Sequence, residues 1–176
     1  MKHLNTNPHI AQHTIKRNKN FPNSKLPVLI YEEALQLPSS KRKAALAIQK
    51  IFARNGWSNA WRNGIYDFHH YHSITHETMA VSMGDATLIL GGPKGKRIKI
   101  YRGDVVILPA GVGHRCIKHS PDFQCVGAYP QGKNYDINLG RNKELDRAMT
   151  HIKQLSLPSK DPVFGKEGFL KTFWKK

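Results

Sequence analysis

Four of the ten histidines in this 176-residue chain lie between positions 69 and 76, and Glu77 follows them directly. In an extended strand, His70 and His72 point to the same face because side chains alternate with a period of two. Two imidazoles, a nearby carboxylate and a third imidazole from elsewhere in the chain form a mixed nitrogen and oxygen set. Such a set suits iron, manganese, nickel, copper or zinc rather than calcium or magnesium.

The geometry of this set depends on the chain between Ser73 and His76. If it bends or bulges there, the carboxylate of Glu77 returns to the face that carries His70 and His72. The third imidazole is expected from His114, which follows a Pro-Ala-Gly turn. With a different local bend His76 could replace one ligand; otherwise it contacts the ligands from outside or is exposed. Two alternatives to a metal site are open: a buried histidine that is a hydrogen-bonded core residue, and a histidine-rich loop that is simply solvated.

The elements that must position these residues are short and β-like. Between Trp57 and Tyr129 apolar residues recur with a period of two, and Gly, Pro and Asp clusters separate the runs. This pattern favours an antiparallel barrel or jelly roll. The predicted strands are Gly64 to His72, Glu77 to Met83, Ala86 to Leu90, Arg97 to Tyr101, Asp104 to Leu108, Gly113 to Lys118 and Phe123 to Tyr129.

Two helices are predicted outside this region. The first runs from Lys41 to Arg54, with Ser39-Ser40 as N-cap and Asn55-Gly56 as C-cap. A short second helix is predicted from Lys143 to about Leu155, and the chain then ends as a docked extended tail.

Two segments resemble the conserved motifs of the cupin superfamily. The first contains Gly64, His70, His72, Glu77 and Gly84, and the second contains Gly103, Pro109, Gly111 and His114. The resemblance implies a mainly β, antiparallel cupin barrel (jelly roll) with an N-terminal helix and a short C-terminal helix. It also implies a divalent transition metal (Fe, Mn, Ni, Cu or Zn) held by His70, His72, Glu77 and His114.

Further short segments of the sequence resemble small bacterial single-domain cupins of largely uncharacterised function. They are Phe21-Pro22-Asn23, Leu26-Pro27, the cluster from His70 to Glu77, Gly127 to Pro130 and Asp161 to Gly165. The similarity covers about residues 21–175. We expect residues 1–24 to be a flexible basic tail and residues 25–176 to form one cupin domain with its barrel core at about 57–130. Because dimers are common among cupins, the resemblance also implies a homodimer.

A cupin resemblance does not define a reaction, because cupins include isomerases, dioxygenases, sugar-modifying enzymes and non-catalytic proteins. The leading hypothesis is a metal-dependent isomerase or oxygenase that acts on a small oxygen-rich molecule. The alternative is a non-catalytic cupin that binds or senses a small ligand. No catalytic acid or base stands out from the sequence.

The second motif departs from the cupin pattern at Lys118, where an Asn usually stands. Strand alternation places His114, Cys116 and Lys118 on one face, so Lys118 could fix a carboxylate or phosphate of the ligand. The alternative is a lysine at a strand end with its ammonium group in solvent.

The chain is strongly basic, with 28 Lys and Arg against 12 Asp and Glu and a net charge of +16. This charge favours an anionic ligand. Because no nucleic-acid-binding motif is visible, binding to nucleic acid is not expected. The sequence shows neither an apolar stretch long enough to span a membrane nor a secretory signal, which predicts a cytoplasmic protein.

Cys116 and Cys125 lie symmetrically about the Ser120-Pro121 turn. In a regular hairpin they would face each other across two strands, which would permit a disulfide or a thiol pair. Two reduced, buried thiols are the interpretation favoured in a reducing cytosol.

Overall fold

The computed structural model describes residues 4–175, which form nine strands, three α-helices and one 3₁₀ helix. The strands are β1 (His9–Ile15), β2 (Ser24–Glu32), β3 (Trp57–Asn63), β4 (Glu77–Met83), β5 (Asp85–Leu90), β6 (Lys96–Tyr101), β7 (Val105–Leu108), β8 (His114–His119) and β9 (Gln124–Pro130). The helices are α1 (Lys41–Arg54), the 3₁₀ helix Asn142–Glu144, α2 (Leu145–Gln154) and α3 (Leu170–Phe173).

The strands form two antiparallel sheets that pack face to face. The larger has the order β1-β2-β7-β4-β9-β3, and the smaller has the order β6-β5-β8. Apolar side chains from both sheets share one buried cluster, as in a jelly-roll sandwich. The predicted fold class, mainly β and antiparallel with an N-terminal helix and a short C-terminal helix, is therefore confirmed, and the segment predicted as an extended tail contains one further short helix, α3. None of the helices in the described part of the chain is long and apolar enough to cross a membrane.

The larger sheet is covered on both faces. Along β4, Met79 and Val81 point into the cluster between the sheets, whereas Ala80 points into a second cluster formed with α1 and the C-terminal segment. Strands covered on both sides lose the alternation of polar and apolar residues. For the site, this arrangement means that neighbouring residues of β4 face two different environments.

Helix α1 has the predicted bounds. The Ser40 side chain accepts a hydrogen bond from the backbone N–H of Lys43, and Gly56 follows the C-cap with a φ of 80°. The buried face of the helix packs on the larger sheet through Ala44, Ala45, Ile48, Ile51 and Phe52.

The prediction of a strand from Gly64 to His72 is wrong. The edge of the larger sheet next to β9 is instead filled by β3, which ends at Asn63. Residues 64–76 leave the sheet as an irregular segment, anchored by single bridges from His70 to His114 and from Tyr71 to Asn138. A period-two pattern does not show which segment is paired in a sheet.

The prediction of a flexible tail over residues 1–24 is wrong for the described residues, and residues 1–3 lie outside them. Strand β1 pairs with β2 at the edge of the larger sheet, so the barrel core begins well before residue 57. The Phe21 ring is buried where Gly92, Gly113 and Gly140 meet. A Cβ atom on any of the three would lie 2.5–2.6 Å from that ring, so the missing side chains make room for it.

The C-terminal segment is organised around the buried carboxylate of Asp161. One oxygen accepts hydrogen bonds from the backbone N–H groups of Val163 (2.8 Å) and Phe164 (2.9 Å). The other accepts from the hydroxyl of Tyr31 (2.6 Å) and the N–H of Leu170 (3.1 Å). These bonds fix the segment against β2, and it closes the outer face of the larger sheet.

The predicted pairing of Cys116 and Cys125 across a hairpin is wrong. Cys116 lies on β8 in the smaller sheet, whereas Cys125 lies on β9 in the larger sheet. Both cysteines are free and buried, as the favoured interpretation held, and burial raises the pKa of both thiols. They act as small apolar residues of the core.

We expect Phe21→Ala to lower the free energy of unfolding by about 3–5 kcal/mol, because it empties the space between three glycines. Urea denaturation measures this change. The matched control is Phe68→Ala, which shortens an exposed phenylalanine and should cost about 0.5 kcal/mol or less. Equal effects of the two substitutions would contradict the anchoring role of Phe21.

Candidate metal centre

Three histidines and one glutamate meet between the two sheets. One ring nitrogen each of His70, His72 and His114 lies within 4.8 Å of the others, and all three side chains are buried. Glu77 Oε2 lies 3.4 Å from His72 Nε2 and 3.4 Å from His114 Nε2. The structure thus brings together all four side chains that the sequence predicts as a ligand set.

Backbone pairing brings the two motif segments together. The N–H of His70 donates to the carbonyl of His114 (3.1 Å), and the N–H of His114 donates back to the carbonyl of His70 (2.8 Å). The chain bends at Ser73 and Ile74 before Glu77 opens β4. This bend returns the carboxylate to the histidine face, as the sequence required.

Each imidazole is oriented by a hydrogen bond at Nδ1. His70 Nδ1 lies 3.1 Å from the carbonyl oxygen of Phe68, and His114 Nδ1 lies 3.0 Å from that of Val112. His72 Nδ1 makes a short contact with the carbonyl oxygen of Asp136. A carbonyl can only accept, so each Nδ1 carries a proton, which leaves Nε2 of each ring as the nitrogen available to a metal. The Nε2 atoms of His72 and His114 face Glu77.

The Asp136 carboxylate holds the bend beside His72. It accepts from the backbone N–H groups of Ser73 (2.7 Å) and Ile74 (3.2 Å), and also from the Ser73 hydroxyl and the Asn138 amide (2.7 Å). Burial alone would raise the pKa of Asp136, but these hydrogen bonds hold it below its usual range. The carboxylate therefore stays ionised and keeps the bend in place.

Glu77 is oriented through its second oxygen. Oε1 accepts from the hydroxyl of Tyr129 (3.1 Å) and from Trp61 Nε1 (3.3 Å), which also lies 3.0 Å from that hydroxyl. The Trp61 indole lies directly on Gly127, where a Cβ atom would come within 2.1 Å of it. A glycine at position 127 is thus a condition for this arrangement.

The electrostatics of the cluster follow from its burial. Burial alone would raise the pKa of Glu77, but His72 and His114 bring it well below its usual range. Burial and the neighbouring His114 lower the pKa of His70 to about 3. For His72, burial acts downward but Glu77 outweighs it and raises the pKa. The cluster therefore holds an ionised carboxylate, a neutral His70 ring and a His72 ring whose protonated form Glu77 favours.

The four side chains lie at the floor of a cavity of about 200 Å³. Its walls are largely aromatic and apolar, and the residues that line it include neither Lys nor Arg. Besides the cluster they are Trp61, Asn63, Gly64, Ile65, Tyr66, Met79, Tyr129 and Tyr135. The arrangement can hold a cation on three imidazoles and a carboxylate, next to space for a small molecule.

The two weaker candidates lie elsewhere. Lys118 is exposed because Ile117 is an extra residue in β8, so that Lys118 pairs with Thr87 and Cys116 pairs with Leu88. This bulge turns Lys118 outward, in keeping with the alternative of a strand-end lysine in solvent, and Lys118 does not line the cavity. His76 points to the opposite side of β4 from Glu77, where its Nδ1 accepts from the N–H of Ala110 (3.0 Å). His76 therefore does not replace a ligand.

Sequence reasoning missed the residues that support the cluster. Tyr129 lies in a predicted strand and Trp61 lies in the region of period-two alternation, whereas Tyr135 and Asp136 lie between the last predicted strand and the second predicted helix. One signal was available in the sequence: the segment from Gly127 to Pro130 resembles small bacterial cupins. That resemblance does not give Tyr129 a role. Apart from the contact between Trp61 and Glu77, which are 16 residues apart, these contacts join residues more than fifty positions apart, and spacing along the chain does not report them.

The jelly-roll strand order, with two motif segments whose histidines and glutamate meet at one cavity, defines a cupin. The chain belongs to the family of the uncharacterized protein YjlB of Bacillus subtilis. The two proteins are 41% identical over 150 residues, which is 85% of this chain and 87% of YjlB. No protein-family model matches the chain.

Several solved structures are similar in part. A DUF861 family protein of Thermotoga maritima is 23% identical, with 57% of this chain and 96% of that chain covered and a TM-score of 0.36. Acireductone dioxygenase of Bacillus anthracis, with a cadmium ion in its active centre, is 13% identical, with coverages of 54% and 65% and a TM-score of 0.39. Because these TM-scores are low, the assignment to the cupins rests on the strand order and the clustered motif residues.

We expect Tyr129→Phe to weaken the affinity of the protein for an added divalent metal about tenfold, because it removes a hydrogen bond that orients Glu77. Competition of Zn²⁺ or Co²⁺ with a chromophoric chelator measures this affinity. Tyr135→Phe is the control, since Tyr135 stacks on Tyr129 at 5.0 Å and makes no hydrogen bond to Glu77. A similar loss in both variants would contradict the orienting role.

Proposed function

We propose that the chain is a metal-dependent cupin in which His70, His72, Glu77 and His114 hold one divalent transition metal. The observation that carries this proposal is the convergence of three buried imidazoles, whose ring nitrogens lie within 4.8 Å of one another, beside a buried carboxylate. Among the described residues Glu77 Oε2 has no hydrogen-bond partner at normal distance, and the Nε2 atoms of His72 and His114 each lie 3.4 Å from it. Acceptor atoms that converge at a buried position repel each other unless a cation or a proton lies between them.

The donor set suits Fe, Mn, Ni, Cu or Zn, because imidazole nitrogen dominates it and a single carboxylate completes it. When bound, such a metal supplies a Lewis acid, and a redox-active metal such as iron also supplies electrons for oxygenation. We therefore propose an isomerase or oxygenase that acts on a small oxygen-rich molecule.

The protein's own contribution would be orientation and exclusion of water. The Nδ1 bonds to backbone carbonyls fix the three rings, and Trp61 and Tyr129 fix the carboxylate. Burial and the neighbouring Glu77 raise the pKa of Tyr129 well above its usual range. Its hydroxyl thus stays protonated, so it donates a hydrogen bond and does not act as a base.

The cavity lining also supports the second candidate, a non-catalytic cupin that binds or senses a small ligand. Outside the proposed ligands and the tyrosines, the residues that line the cavity carry no titratable group that could serve as a general acid or base. The lining has no Lys or Arg either, so an anionic ligand would depend on the metal for its charge partner.

We expect elemental analysis of protein purified without added metal or chelator to find close to one equivalent of a transition metal. His72→Ala and His114→Ala should each lose most of it, because each removes one of four ligands. His9→Ala is the matched control, since His9 is exposed at the start of β1 and should leave the metal content unchanged.

Wild-type protein that contains no metal and takes none up on soaking would overturn the proposal. Equal metal content in His9→Ala and His114→Ala would overturn the assigned ligand set while leaving a metal site elsewhere.

Catalysis is tested separately with protein loaded with Fe(II), Mn(II) or Zn(II). We expect conversion of a small α-hydroxy ketone or enediol, seen as oxygen consumption or as isomerisation by NMR, and its loss in metal-depleted protein. Binding of these compounds without either reaction would support the sensing alternative instead.

A further inference from the structure

The exposed apolar side chains of this protein are concentrated at the mouth of the cavity. Among the described residues, seven large apolar or aromatic side chains are exposed, and five of them come from two short segments beside the mouth. We call these five the mouth strip: Tyr66, Phe68, Tyr135, Ile137 and Leu139, with exposures of 38–46%.

Alternation of the backbone explains why the strip faces outward as a unit. In the segment 135–139, Asp136 and Asn138 turn inward, where Asp136 holds the bend beside His72 and Asn138 is buried. Tyr135, Ile137 and Leu139 therefore share the opposite, outer face. Their exposure follows directly from the contacts that shape the metal centre.

The strip is continuous with the wall of the cavity. Tyr66 and Tyr135 line the cavity itself. Tyr66 stacks on Phe68 at 4.8 Å, and Phe68 in turn lies 5.4 Å from the ring of His70. From Phe68 the apolar surface runs on into an open groove of about 650 Å³ that Ile137 and Leu139 also line.

The size of the cavity indicates what covers this surface. At about 200 Å³ the cavity is smaller than the roughly 300–1,000 Å³ of most small-molecule sites. A ligand of ordinary size would fill it with a head group and extend over the mouth. A second protein copy fits less well, because a stable interface takes about 20–30 residues a side and the strip supplies five.

We propose that the ligand combines a small oxygen-donor head group, bound at the metal centre, with an apolar or aromatic portion that lies along the mouth strip. This inference rests on the proposed function and adds the chemical class of the ligand. Apart from the proposed metal ligands, the cavity and the groove are lined by no Asp, Glu, Lys or Arg, so a charged distal portion would find no oppositely charged side chain there.

The test compares two probes with the same metal-binding head, acetohydroxamate and octanohydroxamate, on metal-loaded protein by calorimetry. We expect the octyl probe to bind at least about tenfold more tightly, since burial of about 60 Å² of apolar surface suffices for a factor of ten. In Ile137→Ser and Phe68→Ser the ratio of the two dissociation constants should fall severalfold.

Leu46→Ser is the matched control, because Leu46 is exposed to a similar degree on α1, away from the mouth, and its loss should leave the ratio unchanged. A ratio near one in wild-type protein, or an equal fall in all three variants, would overturn the inference. So would a dimer in sedimentation velocity that Ile137→Ser dissociates, since a second copy would then cover the strip. Failure of both probes to bind would instead overturn the proposed metal centre, so the two failures are distinguishable.

Discussion

The buried carboxylate of Glu77 is the constraint around which the rest of the site is arranged. An ionised carboxylate between two sheets is unfavourable unless every oxygen has a partner of suitable charge. One oxygen is satisfied by Tyr129 and Trp61, and the other is left to two imidazoles whose protons are held elsewhere. The backbone carbonyls accept hydrogen bonds from the Nδ1–H groups and so fix the tautomer of each imidazole. Main-chain geometry therefore determines which ring nitrogen is available in the cluster.

The same arrangement requires a strand that is covered on both sides. Glu77 points into the sandwich, whereas its neighbour His76 points outward and packs against Trp174 at 4.9 Å. The C-terminal segment that carries Trp174 is fixed by Asp161, which binds the Tyr31 hydroxyl on β2. Residues 161–174 therefore support the first residue of β4 from behind, although they contribute no side chain to the cavity.

Features of the fold that depend on residues close together in the sequence could be predicted from the sequence. Helix α1 could be located to the residue because Ser40 and Gly56 mark its ends, and the four converging residues followed from two motifs with fixed spacing. The route of residues 64–76, the register of Lys118 and the position of β1 could not be predicted. They depend on which strand occupies a sheet edge, on one extra residue in β8 and on a ring seated between distant glycines.

The burial of the Phe21 ring among three glycines limits how the sequences of this family can diverge. Three glycines from separate parts of the chain, Gly92, Gly113 and Gly140, lie so close to this one ring that a Cβ atom on any of them would clash with it. A relative that kept the ring could place a side chain at none of the three, because a Cβ atom there would meet the ring. The positive φ of Gly92 and Gly140, 89° and 74°, favours glycine at those two positions even without the ring. An aligned set of homologues should therefore keep all three glycines wherever position 21 is aromatic, and would so record the docking of the N-terminal segment.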